Sequence, residues 1–80
     1  NLKLATYPNP TSNQIILTAE DLDLENLSYQ LLSNEGKVLI SKASIESTNN
    51  INLQLYPANT YLLNIYKDLI IIKSFRIIKN

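Results

Sequence analysis

What most constrains this chain is a set of short runs in which apolar and polar residues alternate, with no convincing helical period anywhere. The alternation is clearest in the last third. Tyr61, Leu63 and Ile65 share one face of one run, and Ile71, Lys73, Phe75, Ile77 and Lys79 share one face of the next. A period of two sends successive side chains to opposite sides of an extended backbone, and the enrichment in Ile and Tyr favours strands. Lys67-Asp68 lies between the runs as a turn, so they should close the chain as an antiparallel hairpin. Pro57 and Asn59 stand where a turn must feed the chain into it.

The earlier runs read the same way. Leu2, Leu4 and Thr6 alternate with Asn1, Lys3 and Ala5 in a first strand ending at Tyr7. Pro8-Asn9-Pro10-Thr11-Ser12-Asn13 then forbids a ladder, since its prolines fix φ and lack a donor. Gln14 to Thr18 forms a second strand, and Glu20 to Asn26 is polar enough for a loop or a single helical turn. Leu27, Tyr29 and Leu31 mark a third strand. Ser33-Asn34-Glu35-Gly36 is the hairpin turn, with the only glycine placed where a positive φ is wanted. Lys37 to Lys42 is the return strand. Ser44 to Asn50 reads as a loop, and Ile51, Leu53 and Leu55 as a fifth strand with one wet face. Seven short strands at regular spacing predict an all-β, antiparallel sandwich in a single domain over residues 1-80.

Composition removes whole classes of function. Seven basic and seven acidic residues cancel, so no overall field attracts nucleic acid or an anionic membrane. Without histidine or cysteine there is no serine–histidine triad, no thiolate nucleophile and no disulfide. One glycine is too few for a phosphate-cradling loop. No apolar run reaches the roughly 18 residues of a membrane-spanning helix. The abrupt start at Asn1 reads as a piece cut from something longer.

Four features remain open on the residues alone. Glu20-Asp21-x-Asp23-x-Glu25 could hold a hard cation such as calcium, or be a solvated loop. Asn26-Leu27-Ser28 matches a glycosylation acceptor, a pattern common by chance. Tyr29, Tyr61 and Tyr66 either pack across strands or, if coplanar on one exposed face, form a carbohydrate platform. Lys67, Lys73, Arg76 and Lys79 gather near the end with only Asp68 among them. They protect an edge strand or form a recognition strip.

Four blocks then carry a resemblance. Tyr7-Pro8-Asn9-Pro10-Thr11-Ser12, the stretch from Tyr29 to Leu39 through Gly36-Lys37, the stretch from Pro57 to Ile65 with Asn59 and Tyr61, and the close Phe75-Arg76-Ile77-Ile78-Lys79 occur in order. Together they resemble the C-terminal sorting domain of type IX secretion cargo in Bacteroidota (type A, the Por secretion system family). The family usually has glycine where Asn59 stands and leucine where Tyr56 stands. Asparagine is the best non-glycine occupant of a left-handed turn, so that backbone should be kept.

The resemblance implies an immunoglobulin-like sandwich ending a larger secreted protein, with no enzymatic activity and no cofactor. Implied partners are components of the outer-membrane type IX translocon and a surface sortase-like peptidase. No nucleic acid or small-molecule substrate is implied, and the domain is expected as a monomer. The implied route runs through the periplasm to the outer membrane, the cell surface or the medium, with cleavage around or before Asn1. Lys73, Phe75, Arg76, Ile77, Ile78 and Lys79 are the expected partner-binding residues. Tyr7, Pro8, Asn9, Pro10, Gly36, Lys37, Pro57, Asn59 and Tyr61 are expected to hold the fold. With aliphatic groups on both faces, the terminal strand is expected to be covered twice or to lend one face to a partner. As an edge it can also offer backbone groups for strand addition, so deleting Arg76 to Asn80 should leave a fused cargo folded yet trapped in the periplasm. The competing reading is a carbohydrate-binding or adhesive sandwich retained on the mature protein, and a weaker one is a structural spacer. Both share the fold.

Overall fold

Each alternating run has one apolar face, and that face leaves water only if a second sheet covers it. A computed structural model describing residues 2–20 and 23–80 shows how the faces meet. Its strands are β1 (Lys3–Tyr7), β2 (Gln14–Glu20), β3 (Leu27–Leu32), β4 (Val38–Lys42), β5 (Thr48–Asn52), β6 (Asn59–Lys67) and β7 (Ile70–Lys79). They form a three-stranded sheet, β1-β2-β5, and a four-stranded sheet, β4-β3-β6-β7. All strand pairs are antiparallel, and no helix occurs among the described residues. The expected all-β, immunoglobulin-like sandwich of seven strands is the observed architecture.

Between the sheets lie Ile15, Leu17, Ala19 and Ile51 from one side and Leu27, Leu31, Leu63, Ile65 and Ile77 from the other, nearly all without solvent contact. Tyr29 and Tyr61 join them, and Ile45 and Leu53 fill in from the connections. Burial holds the Tyr29 hydroxyl above its ordinary pKa, so it stays protonated at neutral pH. At the start of β6 the Tyr61 hydroxyl donates to the Pro57 carbonyl at 2.5 Å, the hydrogen bond of a tyrosine corner.

Several boundaries differ from the sequence reading, each for a local reason. The fifth strand begins at Thr48 inside the expected loop and ends at Asn52, so Leu53 and Leu55 lie outside it. The Asn52 side chain accepts the Gln54 N–H at 2.8 Å and turns the chain toward the second sheet. Leu53 is then buried in the crossing while Leu55 stays 91% exposed. Thr48 and Asn50 are strand residues because Asn49 anchors them, its amide donating to the carbonyls of Leu17 (3.0 Å) and Glu46 (2.7 Å). The return strand starts at Val38, and a bulge opposite Leu31/Leu32 gives it one extra residue. Leu39 and Ile40 therefore both pack toward the core. The last hairpin turns at Asp68-Leu69, one residue later than expected, with Asp68 at φ 54°. Asn59 does not take a left-handed backbone; Asn26, Asp68 and Gly36 do. The Asn59 side chain instead accepts the Thr60 N–H at 2.8 Å.

The Gly36 turn is as expected. Gly36 sits at φ 88°, its N–H donates to the Ser33 carbonyl at 2.9 Å, and the Ser33 N–H donates to the Lys37 carbonyl at 2.8 Å. A Cβ at Gly36 would meet nothing within 4 Å, so the cost of any side chain there is backbone strain alone. Gly36→Val is expected to lose about 1–3 kcal/mol, and each kcal/mol lowers Tm by about 4–8 °C in a domain of this size. Gly36→Asn should lose much less. A thermal melt with Val matching the parent would show that the turn does not need this conformation.

Candidate functional site

The terminal strand β7 forms one edge of the four-stranded sheet and pairs with β6 along its whole length. Alternation sorts the six expected partner-binding residues into two sets. Phe75, Ile77 and Lys79 turn inward with Lys73, whereas Arg76 and Ile78 turn out. Ile77 has no exposed surface and belongs to the core. Phe75 is half-buried against the core, and the Lys73 ammonium lies 5.5 Å above its ring. Ile71, expected on the face of Lys73, instead pairs with outward Tyr66, because a bulge between the pairs Ile65–Lys73 and Tyr66–Ile71 breaks the alternation at Ile72.

Lys79 is tied down. Its ammonium donates to the Leu53 carbonyl at 2.8 Å and to the Tyr56 carbonyl. Those two carbonyls belong to the crossing from β5 to β6, so Lys79 joins the end of β7 to the segment that links the sheets. Tyr56 packs its ring against Tyr61, with centroids 6.2 Å apart.

The outward backbone groups at the end of β7 are also engaged. The Asn9 side-chain amide donates to the Arg76 carbonyl at 2.7 Å, and its oxygen accepts the Ile78 N–H at 2.9 Å. Thr11 continues the ladder: its N–H donates to the Ile78 carbonyl and its carbonyl accepts the Asn80 N–H, both at 2.8 Å. Asn9 thus stands in for a strand residue between Pro8 and Pro10, neither of which has an N–H to offer. Thr11 is buried, and its hydroxyl donates to the Gln14 carbonyl and accepts the Asn13 N–H. The expectation of an open edge along Arg76–Asn80 is therefore corrected: the turn after β1 covers it. Within β7 the same alternation turns Ser74 to the uncovered side. Tyr7 lies half exposed on the other sheet, opposite Ile16, and Lys37 takes part through its backbone in the Gly36 turn.

The open alternatives find little support in this geometry. Tyr29 and Tyr61 are buried, and Tyr66 is half-buried with its hydroxyl donating to Gln30 at 3.1 Å, so no coplanar aromatic platform forms among the described residues. Asp21 of the acidic run lies outside the described residues. Within them no cluster of three or more acidic side chains is placed to hold a metal. Asn26, of the acceptor pattern, sits in a left-handed turn whose carbonyl accepts the Asp68 N–H at 2.8 Å.

Two groups of residues escaped the sequence reading. One is the Asn9–Thr11 clasp, whose partner lies 67 residues away in the case of Asn9. The other is the outer face of the four-stranded sheet, where Leu62 stands directly between Leu32 and Arg76. The signal for it was the unbroken apolar run Tyr61-Leu62-Leu63, which puts aliphatic groups on both faces of β6.

No curated protein and no solved structure matches the chain. The family model for the secretion system C-terminal sorting domain matches residues 5–80, from β1 to the end of β7. This is a family of sorting signals, not of enzymes, and it serves export by type IX secretion to the cell surface or extracellular space. Its match takes in the clasp, the Gly36 turn, the tyrosine corner and the terminal strand alike, and the chain belongs to this secretion system C-terminal sorting domain family.

Proposed function

We propose that this domain is the address at the C-terminal end of a larger secreted protein, read while folded by outer-membrane components of the type IX translocon. The carrying observation is the family match over residues 5–80. In this reading the cargo crosses the periplasm with the domain attached. A surface sortase-like peptidase then removes it upstream of β1, and cargo ends at the cell surface or in the medium. The domain acts as a monomer and carries out no chemistry. Of the terminal strip, Lys73, Phe75, Arg76 and Ile78 present side chains that a receptor can reach. Ile77 and Lys79 act through the fold that displays them.

The test is a reporter with a periplasmic leader fused at its C-terminus to this chain, in a Bacteroidota host with and without the translocon. The reporter should reach the surface or medium only when both chain and translocon are present, and otherwise stay in the periplasm. An identical distribution with and without the chain would overturn the address reading in favour of a retained adhesive module.

A further inference from the structure

The two outer faces of the sandwich differ in chemistry. Outward positions of the three-stranded sheet mix Ala5, Tyr7 and Ile16 with Lys3, Gln14, Thr18, Glu20, Thr48, Asn50 and Asn52, so polar and charged groups break up its apolar ones. The four-stranded sheet is different. Val38, Leu32, Leu62 and Arg76 stand opposite one another in a row across all four strands. Ile78 extends the row at one corner, and Val38, Leu62 and Ile78 are 46%, 39% and 42% exposed. No Asp, Glu or Lys occupies an outward position among the paired residues of this sheet. Its single charge is the Arg76 guanidinium.

We infer that this face is where a partner protein docks, bringing a carboxylate to Arg76 inside an apolar surround. The inference rests on the sorting-signal reading and names its surface. Interface centres are more apolar than the rest of a protein's surface and depleted in Lys, Asp and Glu, with Arg the charged residue enriched there, and this row is apolar with Arg as its one charge. The mode follows from the clasp. Asn9 and Thr11 occupy the outward backbone groups of Arg76, Ile78 and Asn80, so strand addition is closed there. The end of β7 is left to be read by its outward side chains, Arg76 and Ile78. A second copy of the chain does not suit the site, because an isologous contact offers no carboxylate to either guanidinium. An anionic lipid surface calls for a cluster of cations, and this face has one. An acidic, apolar protein surface satisfies both the charge and the aliphatic row.

The test uses the same reporter fusion with Leu62→Asp and Arg76→Glu, and with Asn50→Asp on the opposite outer face as control. Export should fall about tenfold or more for the first two and stay at the parent level for the third. Thermal melts of the isolated chains should show Arg76→Glu and Asn50→Asp unchanged. Arg76→Glu carries the test if Leu62→Asp fails to fold. A benzophenone amino acid in place of Val38 should photo-crosslink to a different protein. Export of Arg76→Glu at the parent level, or adducts only with a second copy or with lipid, would overturn the inference. If the reporter lacking the chain is exported equally well, the address reading itself falls. If the chain is required yet Arg76→Glu exports normally, only the docking face does.

Discussion

Deleting Arg76 to Asn80 is expected to unfold the domain, so that a fused cargo trapped by the deletion reports a lost fold as much as a lost contact. The deleted residues supply four of the pairs between β7 and β6, from Arg76–Leu62 to Lys79–Asn59. They also supply Ile77, wholly buried between the sheets. Truncating a buried Ile to Ala alone costs about 2–5 kcal/mol. Removal of the strand end further strips Asn9 and Thr11 of their partners and uncovers one side of Tyr61 and Phe75. A domain of 80 residues has only about 4–12 kcal/mol of stability in total. The truncated chain should show no cooperative thermal transition in near-UV circular dichroism. A sharp transition near the parent Tm would mean that the sandwich closes without the end of β7, contrary to the packing of Ile77.

Lys79→Glu and Lys73→Glu should behave differently, although both residues lie on the same side of the same strand. The Lys79 ammonium binds the Leu53 and Tyr56 carbonyls. Hydrogen bonds from charged donors contribute about 1.5–3 kcal/mol, and partial exposure of this group lowers that to about 1–2. A carboxylate at the same place faces two carbonyl oxygens and adds repulsion, so Lys79→Glu should lose about 2 kcal/mol or more. With roughly 4–8 °C per kcal/mol, the melt should drop by about 10 °C. Lys73 is exposed with its ammonium over the Phe75 ring, so Lys73→Glu should stay within about 0.5 kcal/mol of the parent. Lys79→Met tests the cause, since it keeps the stem and removes the charge. It should fall between the two. Equal melts for the two Glu variants would show that the Lys79 contacts do not stabilise the fold.

Much of this protein was legible without coordinates because side-chain alternation is local. Tyr61, Leu63 and Ile65 point one way whatever surrounds them, so the strands and their inward faces could be read from spacing alone. Gly36 could be read too, since a turn of that length demands a residue tolerant of positive φ, and the chain has one glycine. The ordered blocks from Tyr7 to Lys79 carried the family. Spacing did not decide where β5 ends. Asn52 and Leu53 alternate correctly for a strand, but the chain must leave one sheet for the other there, and Leu53 is buried by the crossing rather than by the ladder.

What the terminal residues touch was decided by tertiary structure alone. Lys73 and Lys79 look alike in sequence, and only the approach of the β5–β6 crossing makes one a staple and leaves the other in water. Whether the last strand is an open edge depends on Asn9 and Thr11, which reach it across more than 60 residues of chain. The aliphatic row from Val38 to Arg76 exists only through the register of four strands, each contributing one residue. Local sequence sets which way a side chain points, because that follows from the backbone dihedrals of a strand. What it points at depends on pairings between distant segments, and no local pattern encodes those.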